Sequence, residues 1–170
     1  MIAVGVELRE ITDDNRKAVR ALRVRRDQKR FVASVAESLE DAAAEPEARP
    51  WARAVYLDDE PVGFVMLSWN APDRQPDERY FLWRLLVDRR HQGRGIGREV
   101  LTTIADLVRA EGGDVLLTSY EPGPGDPGPF YRRFGFEPTG EIDSDGEIVL
   151  RLRLRPQGGA NPQVRGRSRA

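Results

Sequence analysis

Residues 87–98 have the sequence VDRRHQGRGIGR, in which a predicted strand ends and a predicted helix begins. The run before it, Tyr80 to Val87, is almost continuously apolar, which predicts a central strand buried on both faces. The apolar residues after it recur with the helical period as far as Gly112-Gly113, a pair that predicts the end of a helix. The chain therefore passes from a buried strand, through glycines, into an amphipathic helix.

The glycines of this turn predict an anion site. Glycines spaced by two let the backbone turn tightly and approach a bound group closely. The free N–H groups of the first helical turn then face that group, and the helix dipole favours a negative charge there. Four arginines surround the turn, namely Arg89, Arg90, Arg94 and Arg98. The segment thus predicts a cradle for phosphate or pyrophosphate, although three glycines alone leave open a helix start without any ligand.

Two other nucleotide-binding turns fit this stretch less well. A P-loop requires Gly-Lys-Ser/Thr, and Arg98-Glu99 follows the last glycine instead. A dinucleotide fold carries its glycines after the first strand and an acidic residue at the end of the next strand. Here several predicted strands precede the turn, and Asp114 begins the next strand. Both alternatives are therefore set aside.

The remaining segments complete one mixed α/β domain in the order β-α-α-β-β-β-α-β-α-β-β. A capping box at Ser34-Val35-Ala36-Glu37 predicts the start of the second helix. Residues 121–129 hold four prolines and three glycines and predict a loop. Residues 156–170 predict a disordered basic tail, so the domain is expected to span residues 1–155. Strands are predicted at 4–11, 54–57, 62–69, 80–87, 115–118, 136–142 and 147–154, and a short helix at 130–134.

Composition excludes several classes of function. The 27 basic and 28 acidic residues nearly cancel, so no overall field attracts nucleic acid or anionic lipid. With no cysteine and one histidine, the chain has neither a cysteine nucleophile nor a Cys/His zinc site, and no metal is expected. That histidine, His91, is expected at the surface of the turn. No apolar run approaches the length of a membrane span and no signal peptide is seen, so we expect a cytoplasmic location.

Two motifs carry a family resemblance. The stretch QGRGIG at residues 92–97 resembles the Gln/Arg-x-x-Gly-x-Gly/Ala signature of the GNAT superfamily of N-acetyltransferases. The stretch FYRRFGF at residues 130–136 is similar to the superfamily's C-terminal aromatic segment, at the usual separation. The resemblance implies a GNAT-type α/β fold. In that fold a mixed, mostly antiparallel sheet has helices on both faces and a splay between its fourth and fifth strands.

The resemblance also implies acetyl transfer from acetyl-CoA to an amine, without a covalent enzyme intermediate. The pantetheine amides are expected to pair with the backbone at the end of the central strand, and the pyrophosphate to lie on the N–H groups of the turn. The expected cofactor-binding residues are therefore Leu86, Val87, Gln92, Gly93, Arg94, Gly95, Ile96, Gly97 and Arg98.

Tyr131 matches the general acid that protonates the departing thiolate in this superfamily, and the alternative is a core aromatic residue. Two positions depart from the family pattern. Many members have a glutamate near the end of the central strand that acts as a base, whereas Trp83 and Arg84 stand there in this chain. Members often have an asparagine at the start of the tyrosine helix, where this chain has prolines and Asp126. The base is therefore not assigned.

More narrowly, residues 31–37 and 61–64 and the run Gly-Pro-Phe-Tyr resemble bacterial spermine/spermidine acetyltransferases, which implies a polyamine acceptor. The expected substrate-binding residues are Glu37, Trp83, Arg84 and Glu121. A buried Arg84 requires an acidic partner or an anionic ligand, and an anionic acceptor would argue against polyamines. The alternatives are an antibiotic, amino-acid or protein amine as acceptor, or a sensor that binds acetyl-CoA without turnover. The sequence leaves open whether the chain forms a homodimer.

Overall fold

The computed structural model describes residues 5–154, which form one seven-stranded sheet in the order β1-β2-β3-β4-β5-β7-β6. Neighbouring strands are antiparallel except for the parallel pair β4 and β5. The predicted tail, like residues 1–4, lies outside the described residues. The strands are β1 (Glu7–Arg9), β2 (Pro50–Leu57), β3 (Glu60–Trp69), β4 (Tyr80–Val87), β5 (Val115–Tyr120), β6 (Glu137–Ile142) and β7 (Ile148–Arg153). The α-helices are α1 (Arg16–Arg20), α2 (Val35–Ala44), α3 (Ile96–Ala110) and α4 (Gly128–Phe134).

The sheet separates two apolar cores. On one face α3 buries Val100, Leu101 and Ile104 against the central strands, because these residues form one stripe of the helix. On the other face Val19 of α1 and Val35 of α2 pack in a second cluster against β2, β3 and β4. The helices therefore cover both faces of the sheet, and the predicted fold class is confirmed.

The parallel pair at the centre of the sheet is short. Residues Phe81 and Leu82 of β4 pair with Leu117 and Thr118 of β5, and the ladder ends there. From Trp83 onward, β4 pairs with β3 alone, so its edge towards β5 is open. This is the predicted splay between the fourth and fifth strands, and it exposes backbone hydrogen-bonding groups that a ligand can use.

A β-bulge in β4 lies at the splay. Met66 of β3 pairs with Arg84 and Leu67 pairs with Leu82, so Trp83 is one extra residue on the β4 side. The bulge shifts the alternation of β4 by one residue. As a result the Trp83 side chain is directed towards the face that α1 and α2 cover, where it packs against the second core.

Some boundaries differ from the predicted ones. Strand β1 covers only Glu7–Arg9, and β5 continues to Tyr120. Helix α4 begins at Gly128, two residues earlier than predicted, although prolines surround its start. Proline is tolerated in the first turn of a helix because that turn has no intrahelical acceptor for its N–H groups. Asp126 supplies the start signal, since its carboxylate accepts a hydrogen bond from the Gly128 N–H at 2.9 Å.

Candidate active site

A cavity of about 1080 Å³ opens at the splay between β4 and β5. Its walls are the glycine-rich turn, the second half of β4, β5, the start of α4, and the segment that joins α1 to α2. The turn between β6 and β7 closes a further side. A volume of this size accommodates a cofactor and a small substrate together.

The glycine-rich turn has the geometry of an anion cradle. Gly93 and Gly95 have φ angles of 74° and 81°, in the left-handed region that favours glycine. The space beside both is open, because a Cβ built there meets no atom within 4 Å. Gly95 is the N-cap of α3, so the first N–H groups of that helix have no intrahelical acceptor. The turn therefore fits a pyrophosphate.

The Gln92 side chain fixes the turn to the rest of the site. Its amide nitrogen donates to the Val87 carbonyl at 2.9 Å and to the Gln28 side chain at 2.8 Å. Its oxygen accepts a hydrogen bond from the Arg25 guanidinium at 2.9 Å. The glutamine thus joins the end of β4 to the segment between α1 and α2. Its side chain orders the turn and leaves the backbone N–H groups for a ligand.

Asp88, directly after β4, is a second anchor that the sequence analysis did not assign. Its carboxylate is buried and accepts hydrogen bonds from the Arg23 backbone N–H at 2.8 Å and from the Arg90 Nε at 2.8 Å. Burial opposes the ionised form, but these bonds outweigh it and hold the pKa of Asp88 below its usual range. The only sequence signal was an acidic residue at the end of a strand, which does not distinguish an anchor from a ligand.

The arginines around the turn differ in whether they are free to bind a ligand in the cavity. Arg98 lines the cavity, whereas Arg90 is paired with Asp88. The Arg94 guanidinium lies 3.1 Å from the Nδ1 atom of His91. The expectation of a surface histidine is wrong, because His91 is 9% exposed and its Nε2 lies 3.4 Å from a Glu60 carboxylate oxygen. The local turn, closed by a hydrogen bond from the His91 N–H to the Asp88 carbonyl, directs this ring inward.

Tyr131 lies on α4, faces the cavity, and is 7% exposed. Burial is the main reason that the pKa of Tyr131 is raised to about 12; a hydrogen bond with the Thr118 hydroxyl partly offsets it, and the nearby Glu147 carboxylate adds a smaller upward effect. The phenol is therefore fully protonated at neutral pH. A buried, protonated hydroxyl beside the splay is chemically suited to giving a proton to a departing thiolate.

Of the predicted substrate residues, Glu37 and Trp83 both line the cavity. Glu37 also completes the predicted capping box, because its Oε2 accepts from the Ser34 N–H at 2.9 Å and from the Ser34 hydroxyl at 2.7 Å. These bonds hold the pKa of Glu37 below its usual range, so its carboxylate is charged at neutral pH. Within residues 5–154, no hydrogen bond to its Oε1 is found, which leaves that oxygen for a cationic ligand.

The other two predicted substrate residues have protein partners. The Arg84 guanidinium lines the cavity and lies 3.1 Å from the Asp41 carboxylate of α2, so its acidic partner is found. The Glu121 carboxylate lies 2.9 Å from the Arg30 guanidinium and does not line the cavity. An arginine from the segment between α1 and α2 holds this side chain, and a substrate contact of Glu121 stays a prediction.

Two cavity residues had no sequence signal. The Ser119 hydroxyl of β5 donates a hydrogen bond to the carboxylate of Glu147, the residue directly before β7. The antiparallel pairing of β5 with β7, in which Ser119 lies opposite Val149, brings these distant positions together. Asp126 occupies the position where family members often have an asparagine. Both of its carboxylate oxygens accept hydrogen bonds from nearby backbone N–H groups, those of Gly123 and Gly128.

A family model for the acetyltransferase (GNAT) family matches residues 7–136. The chain belongs to the GNAT family. It is 30% identical over 154 residues to a spermine/spermidine N(1)-acetyltransferase of Bacillus subtilis, and the aligned region covers 86% of this chain and 97% of that protein. This GNAT protein is therefore an N-acetyltransferase that uses acetyl-CoA. The alternative of a non-catalytic sensor is correspondingly disfavoured.

Solved structures share this GNAT fold. An aminoglycoside 6'-N-acetyltransferase in complex with coenzyme A superposes with a TM-score of 0.65 at 17% identity and covers 94% of this chain and all of its own. An N-acetyltransferase of Thermoplasma acidophilum, also in complex with coenzyme A, gives a TM-score of 0.60 at 13% identity and covers 88% of this chain and 99% of its own. The open edge of β4 and the glycine-rich turn fit such a cofactor.

Two features of the described residues bear on the remaining expectations for this GNAT protein. Among the helices of the described part, none is long and apolar enough to cross a membrane. Within residues 5–154, no group of three or more His, Asp or Glu side chains is arranged to hold a metal ion. The cytoplasmic location remains a prediction, and the question of a homodimer stays open.

Proposed function

We propose that this GNAT enzyme transfers the acetyl group of acetyl-CoA to a primary amine of a polyamine such as spermine or spermidine. The observation that carries the proposal is that Glu37 and Trp83 line the cavity that also contains the glycine-rich turn. A charged carboxylate attracts an ammonium group, and an aromatic face covers methylene groups and favours a nearby cation. Polyamines consist of ammonium groups joined by short methylene chains, so they match both features.

The pairing of Arg84 removes an objection to a cationic acceptor. An unpaired arginine in the cavity would repel ammonium groups and attract an acceptor with a carboxylate or phosphate. Because the Asp41 carboxylate lies 3.1 Å from it, the guanidinium is locally neutralised. Two further carboxylates of the β6–β7 turn, Asp143 and Asp145, line the same cavity and add negative charge for the distal ammonium groups.

The relationship to the Bacillus subtilis protein supports the same acceptor class, since that relative is named for spermine and spermidine. In the proposed complex, the pyrophosphate of acetyl-CoA lies on the N–H groups of residues 92–98, and the pantetheine extends along the backbone of Leu86 and Val87. A backbone N–H at the end of β4 stabilises the carbonyl oxygen as negative charge develops on it. Tyr131 protonates the sulfur as the carbon–sulfur bond breaks.

The deciding experiment measures thiol release from acetyl-CoA across a panel of amines: spermine, spermidine, butylamine, amino acids, an aminoglycoside and a lysine peptide. We expect kcat/KM for spermidine to exceed that for butylamine at least tenfold, which corresponds to about 1.4 kcal/mol from the additional ammonium groups. Raising the salt concentration should reduce this ratio, because exposed charges are screened. A lead by the aminoglycoside or the peptide would overturn the polyamine proposal and leave the acetyltransferase activity intact.

A variant links the panel to the site. Glu37→Gln should lower kcat/KM for spermidine several-fold and change that for butylamine less, because it removes a charge that only the polyamine needs. The matched control is Glu141→Gln, an exposed glutamate of β6 that does not line the cavity. An equal loss with both amines would mean that Glu37 acts through the start of α2 and not through the acceptor.

A further inference from the structure

The reaction requires a proton acceptor that the central strand does not supply. An alkylamine is protonated at neutral pH, and its nitrogen can attack a carbonyl carbon only after a proton has left. Trp83 and Arg84 lie in the middle of β4, and neither is a base. The acceptor must therefore come from another element around the cavity.

The Ser119–Glu147 pair stands at the required place. Both residues line the cavity, both are half-buried, and the Ser119 hydroxyl donates to the carboxylate. Successive residues of a strand face opposite sides of the sheet, so Ser119 and its neighbour Thr118 are directed to different faces. Thr118 contacts Tyr131. The carboxylate and the phenol thus approach the gap between β4 and β5 from its two sides.

The backbone around Glu147 is fixed in advance. The Asp143 carboxylate accepts hydrogen bonds from the backbone N–H groups of Asp145 and Glu147, both at 2.9 Å. The Asp143 N–H in turn donates to the Glu147 carbonyl at 3.0 Å. This closed turn, together with the Ser119 hydroxyl, holds the carboxylate in one position, as a base in a preorganised site requires.

The other carboxylates of the cavity are engaged or remote. Glu37 closes the capping box of α2, and Asp126 binds backbone N–H groups with both oxygens. Asp143 closes the β6–β7 turn, and Asp145 is exposed on that turn. Glu147 alone among these five combines partial burial, a single hydroxyl donor and an electrostatic influence on Tyr131.

We propose that Glu147, held by Ser119, is the general base of the acetyl transfer. The Glu147 carboxylate takes one proton from the ammonium group of the acceptor, and the neutral nitrogen forms a bond to the thioester carbonyl carbon. The carbon–sulfur bond breaks, and Tyr131 gives its proton to the sulfur. The proton lost by the new amide nitrogen returns to Tyr131, and Glu147 releases its own to solvent. The net products are the amide, the free thiol and one proton.

The test compares Glu147→Gln with Glu141→Gln, which removes the same charge from an exposed position of the same hairpin. We expect kcat/KM at pH 7 to fall about 100-fold in Glu147→Gln, at the lower end of typical general-base contributions. Its log(kcat/KM) should then rise with unit slope up to pH 9, because the rate follows the free-amine fraction. The wild type and Glu141→Gln should rise less steeply. A loss that is equal at every pH would overturn the proposal.

Two measurements keep the result interpretable. Ser119→Ala keeps the Glu147 carboxylate and removes the hydroxyl that holds it. We therefore expect a smaller loss of kcat/KM than in Glu147→Gln, with the same slope of log(kcat/KM) against pH as in the wild type. An unchanged kcat/KM would mean that Ser119 does not position the base. Alkaline titration of tyrosine absorbance, with the curve of the matching Tyr131→Phe variant subtracted to isolate one of the four phenols, should show a lower pKa for Tyr131 in Glu147→Gln; this measurement requires no acceptor amine. All variants are assayed with spermidine, or with the best amine of the panel if spermidine is not acetylated. Failure of the polyamine proposal is therefore distinguished from failure of the proposal for Glu147.

Discussion

Tyr131 owes its chemistry to its surroundings. A solvent-exposed tyrosine has a pKa near 10, whereas burial in the wall of the cavity raises that of Tyr131 to about 12. The sequence motif indicated the residue and its role by resemblance, but not this environment, which depends on Thr118 and on Glu147 from two other strands. Residue identity was therefore predictable here, and residue environment was not.

Replacing Tyr131 by phenylalanine removes the proposed acid and keeps the ring. We expect turnover to fall at least tenfold with little change in acetyl-CoA affinity, because the hydroxyl acts on the departing sulfur and not on the cofactor's phosphates. Steady-state kinetics and a binding titration measure the two quantities. Tyr56→Phe is the control, since Tyr56 is equally buried, at 7% exposed, but lies in the second core. Unchanged turnover in Tyr131→Phe would remove it as the acid.

Gly95 tests the phosphate cradle at the same scale. Gly95→Glu places a negative side chain where the first N–H groups of α3 are free, so we expect acetyl-CoA binding to be lost. The measurement is the rise in melting temperature on adding acetyl-CoA. Gly140→Glu is a matched control, because Gly140 also has a positive φ, of 90°, and open space beside it. Gly140→Glu places the same backbone strain in β6, away from the turn. If acetyl-CoA raises the melting temperature of Gly95→Glu as much as that of Gly140→Glu, the phosphate site is misplaced.

At the scale of elements, α2 connects stability with function because its capping residue Glu37 also lines the cavity. Ser34→Ala removes the hydroxyl from the capping box, so we expect a loss of about 1 kcal/mol. This corresponds to a melting temperature lower by roughly 2–4 °C in a protein of this size. Ser144→Ala, in the exposed β6–β7 turn, is the control and should leave the melting temperature unchanged. Equal effects would mean that the cap contributes no stability.

Local pattern predicted the elements whose signals are local. The bounds of β4 and the capping box of α2 both agree with the structure, because a continuous apolar run and a Ser-x-x-Glu motif act within a few residues. Contacts between distant segments had no such signal. The Ser119–Glu147 bond joins positions 28 residues apart through strand pairing, and the Glu121–Arg30 ion pair joins positions 91 apart. Single-sequence reasoning therefore missed both contacts.

For the whole molecule, two buried groups contribute to the pH dependence of the free energy of unfolding. The pKa of Asp88 is lowered on folding, so its contribution is present above about pH 4 and is lost as the pH falls further. The pKa of Tyr131 is raised, so its contribution is present below pH 10 and is lost as the pH rises towards about 12. The difference between 10 and about 12 corresponds to roughly 3 kcal/mol.

Urea unfolding across the pH range tests this directly. We expect the free energy of unfolding of Tyr131→Phe to fall less than that of the wild type between pH 10 and 12, because one fewer buried phenol ionises on unfolding. Asp88→Asn should be destabilised at pH 7 and approach the wild type at acidic pH, where the carboxylate is protonated in both states. Parallel curves for a variant and the wild type would show that its group does not contribute to the pH dependence.

The extra residue at Trp83 changes which positions of β4 face the α3 core. Tyr80 and Leu82 face the α3 core before it, and Leu85 and Val87 face the same core after it, so even positions give way to odd ones. This matters for recombination between relatives. A chimaera with its crossover in this strand folds only if one parent supplies the extra residue. Losing it, or receiving it twice, turns the Leu85 and Val87 side chains to the opposite face of the sheet.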